Sequence, residues 1–147
     1  MRIMAIDLGD IRTGIAICDK FEMMASPVCV IKHRGITDLT KEIARLAGET
    51  LAEMIVLGHP KHMNGECGEM AQKSERFAEI LKKKTKLDIV LWDERNTTVM
   101  ANRALTASGR FGKGRKEVVD AVAATLILES YLAFRKNAAK GNNPGST

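Results

Sequence analysis

The stretch Arg2-Ile3-Met4-Ala5-Ile6-Asp7-Leu8-Gly9-Asp10-Ile11-Arg12-Thr13-Gly14-Ile15-Ala16-Ile17-Cys18-Asp19 decides the fold. Its two apolar runs, Arg2–Asp7 and Gly14–Asp19, are short, rich in isoleucine and bounded by Gly and Asp. Runs of that kind fit buried strands better than helices. The link Leu8–Thr13 is short enough to make the pair an antiparallel hairpin. A third run of the same character, Pro27–Ile31, extends the hairpin into a meander.

From Thr37 onward the period changes. Leu39, Ile43, Leu46 and Ala47 recur at helical spacing, with Thr37 or Asp38 available as the N-cap. Met54–Leu57 is a fourth strand, closed by Gly58-His59-Pro60. Past Gly65 and Gly68, the residues Met70, Ser74, Phe77 and Leu81 line one face of a second helix. Lys82, Lys83, Lys84 and Lys86 crowd its C-terminal end, where cations complement the helix dipole. Ile89–Trp92 is a fifth strand. A third helix is expected from Thr97 or Thr98 to Ser108, then a basic Gly-rich loop, Gly109–Gly114. The last helix is expected from about Arg115 to Arg135, with Val119, Val122, Ala123, Leu126 and Ile127 as its apolar face.

This order, β-β-β-α-β-α-β-α-α, predicts one α/β domain over residues 1–136. Its mixed five-stranded sheet combines an antiparallel meander with β-α crossovers and carries helices on its faces. The polar residues 137–147 are expected to form a disordered tail.

Composition narrows the function classes. The 147 residues are 45% hydrophobic and 28% charged, an ordinary globular balance that argues against disorder. The longest apolar run, Ala121–Leu128, falls far short of the ~18 residues of a membrane span, so no membrane partner is expected. Arg2 and four apolar residues before Asp7 do not make a signal-peptide core. Three cysteines without metal-ligand spacing read as reduced thiols of a cytoplasmic protein. Lys and Arg exceed Asp and Glu by 23 to 18, a net charge of +5 that favours polyanionic partners.

Three acids stand out by position. Asp7 closes the first strand, with Gly9 two residues on to permit close backbone approach. Glu94 follows the fifth strand, with Asp93 beside it; strand parity alone does not choose between the two. Either position also suits an ordinary turn former or helix cap. Asp120 is harder to assign a bland role. It shares a helical face with Ala123, Ala124 and Ile127, where a carboxylate is costly unless a cation or donor meets it. If the last helix crosses the sheet near the ends of strands one and five, the three acids converge. Such a cluster is most simply stabilised by a divalent cation, and oxygen ligands select Mg²⁺ or Mn²⁺ over zinc. An acidic metal cluster on a basic protein points to a phosphodiester substrate.

These residues carry a family resemblance. Asp7-Leu8-Gly9-Asp10-Ile11-Arg12-Thr13-Gly14 resembles the D-x-G-x-x-R-x-G opening of the YqgF (RuvX) family. Three further blocks match in order. They are Gly58-His59-Pro60 with Met63-Asn64-Gly65, then Trp92–Thr98, then Val119–Ala124 leading to Ile127–Leu132. The match spans residues 1–135. It implies an RNase H-like fold and a metal-dependent nuclease acting in Holliday-junction resolution or pre-16S rRNA processing. It also implies an acidic triad at Asp7, Glu94 and Asp120, and the family motif selects Glu94 over Asp93. His59 and Asn96 depart from the family pattern, where leucine and leucine or phenylalanine are common.

Cations around the acids complete the expectation. Arg12, at the hairpin turn, is placed to neutralise a substrate phosphate. Arg95 either orients Glu94 or pairs with Asp93. The segment Arg110-Phe111-Gly112-Lys113-Gly114-Arg115-Lys116 carries four cations and one ring, the makings of a mobile nucleic-acid clamp. The partner is then structured RNA or branched DNA, bound by a monomer or homodimer. Two alternatives compete. A non-catalytic nucleic-acid-binding module gains little from clustered acids. An actin-like sugar kinase or ATPase needs two lobes that one domain of this length does not supply.

Overall fold

Strand β1 (Ile3–Asp7) is buried on both faces and lies at the centre of a five-stranded sheet. The structure is a computed structural model. It describes residues 1–59, 68–94 and 113–141, with the backbone alone for 113–120, 140 and 141. The remaining strands are β2 (Arg12–Cys18), β3 (Ala25–Lys32), β4 (Met54–His59) and β5 (Asp88–Asp93). The helices are α1 (Ile36–Thr50), α2 (Glu69–Thr85) and α3 (Lys113–Gly141). Spatial order is β3-β2-β1-β4-β5. β1, β2 and β3 form the expected antiparallel meander, and β4 and β5 add in parallel through α1 and α2. This is the mixed sheet the sequence predicts. A register shift between Ile15 and Ala16 places Pro27 at a bulge of edge strand β3, where its missing N–H costs least.

The two faces of the sheet carry separate cores. Met4, Ile6, Ile15, Ile55 and Leu57 pack with Leu39, Ile43, Phe77 and Leu81 of α1 and α2. Ile3, Ala5, Ala16, Cys18 and Val56 pack with Ala123, Ala124, Ile127 and Leu128 of α3. Alanines on both sides of the second interface let α3 approach the sheet closely. Cys18 and Cys29 are free thiols, and burial raises the pKa of each, as suits packing groups rather than nucleophiles. Among the described residues, no helix is long and apolar enough to cross a membrane.

Strands β2 and β4 each run two residues past an expected end, so that Arg12 opens β2 rather than lying in the turn and Gly58 and His59 end β4 rather than following it. Helix ends differ from expectation in three places. The N-cap of α1 is Gly35 without a side-chain cap, rather than Thr37 or Asp38, which fall inside the first turn where Asp38 complements the helix dipole. α3 begins at Lys113, so Lys113 and Gly114 belong to the helix rather than to the basic loop; the surrounding Lys and Arg are good helix formers. At its other end α3 runs through Gly141, past Arg135, because Ala138, Ala139 and Lys140 favour continuation and no proline intervenes. Residues 137–141 thus extend the helix, while 142–147 lie outside the described residues. The expected third helix, from Thr97 or Thr98 to Ser108, also lies outside them, as do residues 109–112 of the expected loop.

Candidate active site at the sheet edge

Strand parity, open in the sequence, is resolved by the two cores. Asp7 alternates with Ile3 and Ala5, so it belongs to the α3 face. On β5, Val90 and Trp92 pack in the α3 core and Ile89 in the other. Glu94 therefore continues the α3 face, and Asp93 the opposite one. Both acids on the α3 face are buried, Asp7 at 5% and Glu94 at 1% exposure.

Gly58 brings them together. The parallel register pairs Ile6 with Leu57, so Asp7 falls in the row of Gly58, which itself pairs with Trp92. Strands are spaced about 4.8 Å apart, which leaves one strand between the two acids. A Cβ at Gly58 would lie 3.0 Å from Glu94 Oε1 and 2.8 Å from Ile127 Cδ1. The Glu94 carboxylate thus lies against the bare backbone of β4, under α3 and beside the Asp7 row. Gly9 serves the turn instead. A Cβ there would collide with the Arg12 carbonyl oxygen, so only glycine permits this tight reversal after Asp7.

Asp120 is in α3, three and four residues before Ala123 and Ala124, which pack on the sheet. Its backbone is described and its side chain is not. Among the described residues, no group of three or more His, Cys, Asp or Glu forms a metal-ligating cluster; the described part of the expected triad is Asp7 with Glu94.

The cations distribute unevenly. Arg12 opens β2 and alternates with Gly14, Ala16 and Cys18, which places it on the acid face. Its register partner across the meander is Lys32. Paired residues share a face, so Lys32 joins Arg12 at the same edge. Sequence reading missed Lys32, because only the bulged register of β3 shows which face it takes. Lys113, Arg115 and Lys116 lie in the first turns of α3, described by backbone alone, and Arg95 and Arg110 lie outside the described residues.

Packing at the far side of the site fixes β5 to α3. Trp92 Nε1 donates to Ser130 Oγ at 3.2 Å, and the indole meets Tyr131 edge-on at a centroid distance of 5.4 Å. Arg135 forks onto Glu22 at 2.7 and 3.2 Å, tying α3 to the β2–β3 turn. These contacts hold the strand end bearing Glu94 in a fixed relation to the helix bearing Asp120.

Residues 1–134 match the family model of RuvX, described as a Holliday junction resolvase. A candidate pre-16S rRNA nuclease of Thermoanaerobacter pseudethanolicus is 42% identical over 138 residues, covering 93% of this chain and 99% of the relative. A protein of the same description from Agathobacter rectalis is 36% identical over 140 residues, covering 93% and 98%. Among solved structures, Thermus thermophilus RuvC in complex with a Holliday junction superposes with a TM-score of 0.58 at 12% identity, covering 92% of this chain and 96% of that one. The fowlpox virus Holliday junction resolvase gives a TM-score of 0.52 at 15% identity, covering 91% and 99%. At those identities the structural likeness establishes the resolvase-type fold. The match along nearly the whole chain, together with relatives above one-third identity, places this protein in the RuvX Holliday junction resolvase family.

Proposed function

We propose that this protein is a divalent-metal-dependent endonuclease that hydrolyses phosphodiester bonds in structured RNA, in the manner of 5′-end processing of a 16S rRNA precursor. The carrying observation is the pair Asp7 and Glu94, buried on one face of one sheet edge with Gly58 between them. Relatives named for a pre-16S rRNA substrate, similar over nearly their whole length, support the substrate. A binding module without catalysis has no use for two buried carboxylates of like charge in adjacent rows.

The donor set fits a hard divalent ion such as Mg²⁺ or Mn²⁺: carboxylate oxygens from Asp7 and Glu94, with Asp120 as the third holder. When bound, such an ion supplies Lewis-acid stabilisation of the phosphate and acidifies a water. The chain's own contributions are positional. β1 and β5 fix the two carboxylates on rigid strand ends, and Gly58 gives Glu94 its place without steric competition. Arg12 and Lys32, at the rim of the same face, neutralise flanking phosphates and set the register of the substrate backbone. Arg95, Arg110, Lys113, Arg115 and Lys116 are proposed to add further phosphate contacts.

Cleavage assays with Mn²⁺ on matched substrates test the proposal: a structured rRNA-precursor fragment, a four-way DNA junction, duplex and single strands. Preferential cut of the precursor RNA is expected, with Asp7→Asn and Asp120→Asn abolishing turnover while binding persists. Undiminished turnover in carefully purified Asp7→Asn protein refutes the assignment. The family model, described for Holliday junctions, favours branched DNA as the second reading. Symmetric cutting of the junction by a homodimer, with the RNA left intact, would establish it in place of the first.

A further inference from the structure

On the opposite face of the same edge, a cavity of about 380 Å³ opens between the β1–β2 turn, the link into α1 and the N-terminal half of α2. That volume lies in the range of small-molecule sites. Its floor is apolar, with Leu8 and Phe77, and its rim includes Ile36 and Ile80, which are 39% and 43% exposed. Two arginines, Arg34 and Arg76, also line it. Among the described residues, neither has an ion-pair or hydrogen-bond partner for its guanidinium group. Lys73, also in the lining, meets Asp10 of the same wall at 3.0 Å, while elsewhere Arg45 grips Glu42 and Glu49 and Arg135 holds Glu22. Gly35 and Ile36, which open α1 without a side-chain cap, complete the wall with the positive end of a helix dipole.

The shared wall is stiff. The Gly9 N–H donates to Thr13 Oγ1 at 3.4 Å, Thr13 Oγ1 meets His33 Nε2 at 2.8 Å, and the His33 backbone N–H donates to the Ile11 carbonyl at 2.8 Å. This chain of bonds pins the turn that separates the cavity from Asp7. Desolvation by burial lowers the His33 pKa, against the opposing pull of Asp10, and so favours a neutral ring in this link.

We propose that the cavity is a subsite for one unpaired nucleotide of the substrate strand. The base lies against Ile36 and Ile80 beneath an arginine plane, and its phosphate is held by Arg34, Arg76 and the first amides of α1. The proposal rests on the nuclease reading for the origin of that strand. Apolar surface beside unpaired guanidinium groups matches a flat ring joined to an anion, and base stacking on arginine is a regular mode of single-strand recognition. Because the β1–β2 turn separates the two sites, a strand crossing it presents one phosphate to the acid face while a neighbouring nucleotide enters the cavity.

The test titrates the full chain in EDTA with ribo- and deoxyribonucleoside monophosphates, with inorganic phosphate and nucleosides in parallel, following backbone amide NMR shifts. Monophosphates are expected to perturb Gly35, Ile36 and Ile80, and to bind at least tenfold more tightly than phosphate or nucleoside alone. Arg34→Ala with Arg76→Ala is expected to lose that binding and to raise KM for a structured RNA about tenfold at unchanged kcat. Equal binding of phosphate and nucleotide, perturbations confined to other surfaces, or acidic peptides binding this cavity more tightly than nucleotides would each overturn the proposal. So would an unaltered KM in the folded double variant, and none of these results touches the nuclease reading. Conversely, nucleotide binding here by a protein that cleaves nothing would leave the subsite standing and remove the nuclease.

Discussion

Replacing Gly58 with alanine should damage the site more than the fold. The backbone at Gly58 is outside the left-handed region, so alanine meets no conformational obstacle, and lower unfolded-state entropy should stabilise by about 0.4–1 kcal/mol. Against that, the new methyl would stand 2.8 Å from Ile127 Cδ1 and 3.0 Å from Glu94 Oε1. Overpacking of this kind costs roughly 1–3 kcal/mol, and mid-range values of the two effects leave a net loss of about 1–2 kcal/mol. Thermal denaturation should then register a fall of about 2–8 °C in Tm. The carboxylate has to retreat by tenths of an ångström. Since a misplacement of 1 Å costs on the order of 10²-fold, single-turnover cleavage should slow roughly tenfold. Ile127→Val removes the atom of closest approach. The double variant should therefore be about 1 kcal/mol more stable than the two single changes sum to, while cleavage stays slow, because the clash with Glu94 persists. A Gly58→Ala protein that cleaves within twofold of wild type would refute the placement of Glu94 against β4. Full rescue of the rate by Ile127→Val would show that packing, not the carboxylate, controls it.

Three further outcomes follow from the same geometry. Lys32→Ala should weaken nucleic-acid binding and reduce the log–log salt slope by about 0.7–0.9, the share of one phosphate contact; an unchanged slope would take Lys32 off the backbone track. His59 is 5% exposed, and its Nε2 has no hydrogen bond among the described residues, lying 3.6 Å from Glu75 Oε1. His59→Leu should accordingly hold or raise stability, by up to about 1–2 kcal/mol in urea unfolding. A loss of that size would reveal a polar role for the ring. The hydrogen bond from Arg135 lowers the Glu22 pKa from its ordinary value of 4.5. A depressed carboxylate contributes stability above its unfolded pKa and loses it as pH falls through the folded one. Glu22→Gln should cost about 0.5–1 kcal/mol at pH 7, and the gap should close on acidification below about pH 4. A gap independent of pH would mean that the ion pair contributes nothing.

The sequence by itself determined the strands and their order along the chain, and it singled out the acids as candidates. Short isoleucine-rich runs broken by Gly and Asp leave little alternative to strands, and the Leu8–Thr13 link admits only a hairpin between the first two. The apolar period in α1 and α2 is likewise local information, and helix ends failed where capping depended on the incoming chain, as at Gly35. What tertiary structure decided is which face each side chain takes. Period-two alternation says that Asp93 and Glu94 point apart, yet which of them meets α3 is known only once Trp92 is seen packing on Tyr131. Lys32 became visible for the same reason, since the β3 bulge reverses any parity counted from the sequence. Gly58 is the plainest case. A glycine after a strand reads as a turn, and its use as the space that admits the Glu94 carboxylate exists only when β4, β5 and α3 are assembled, because steric room is a property of neighbours and not of the residue.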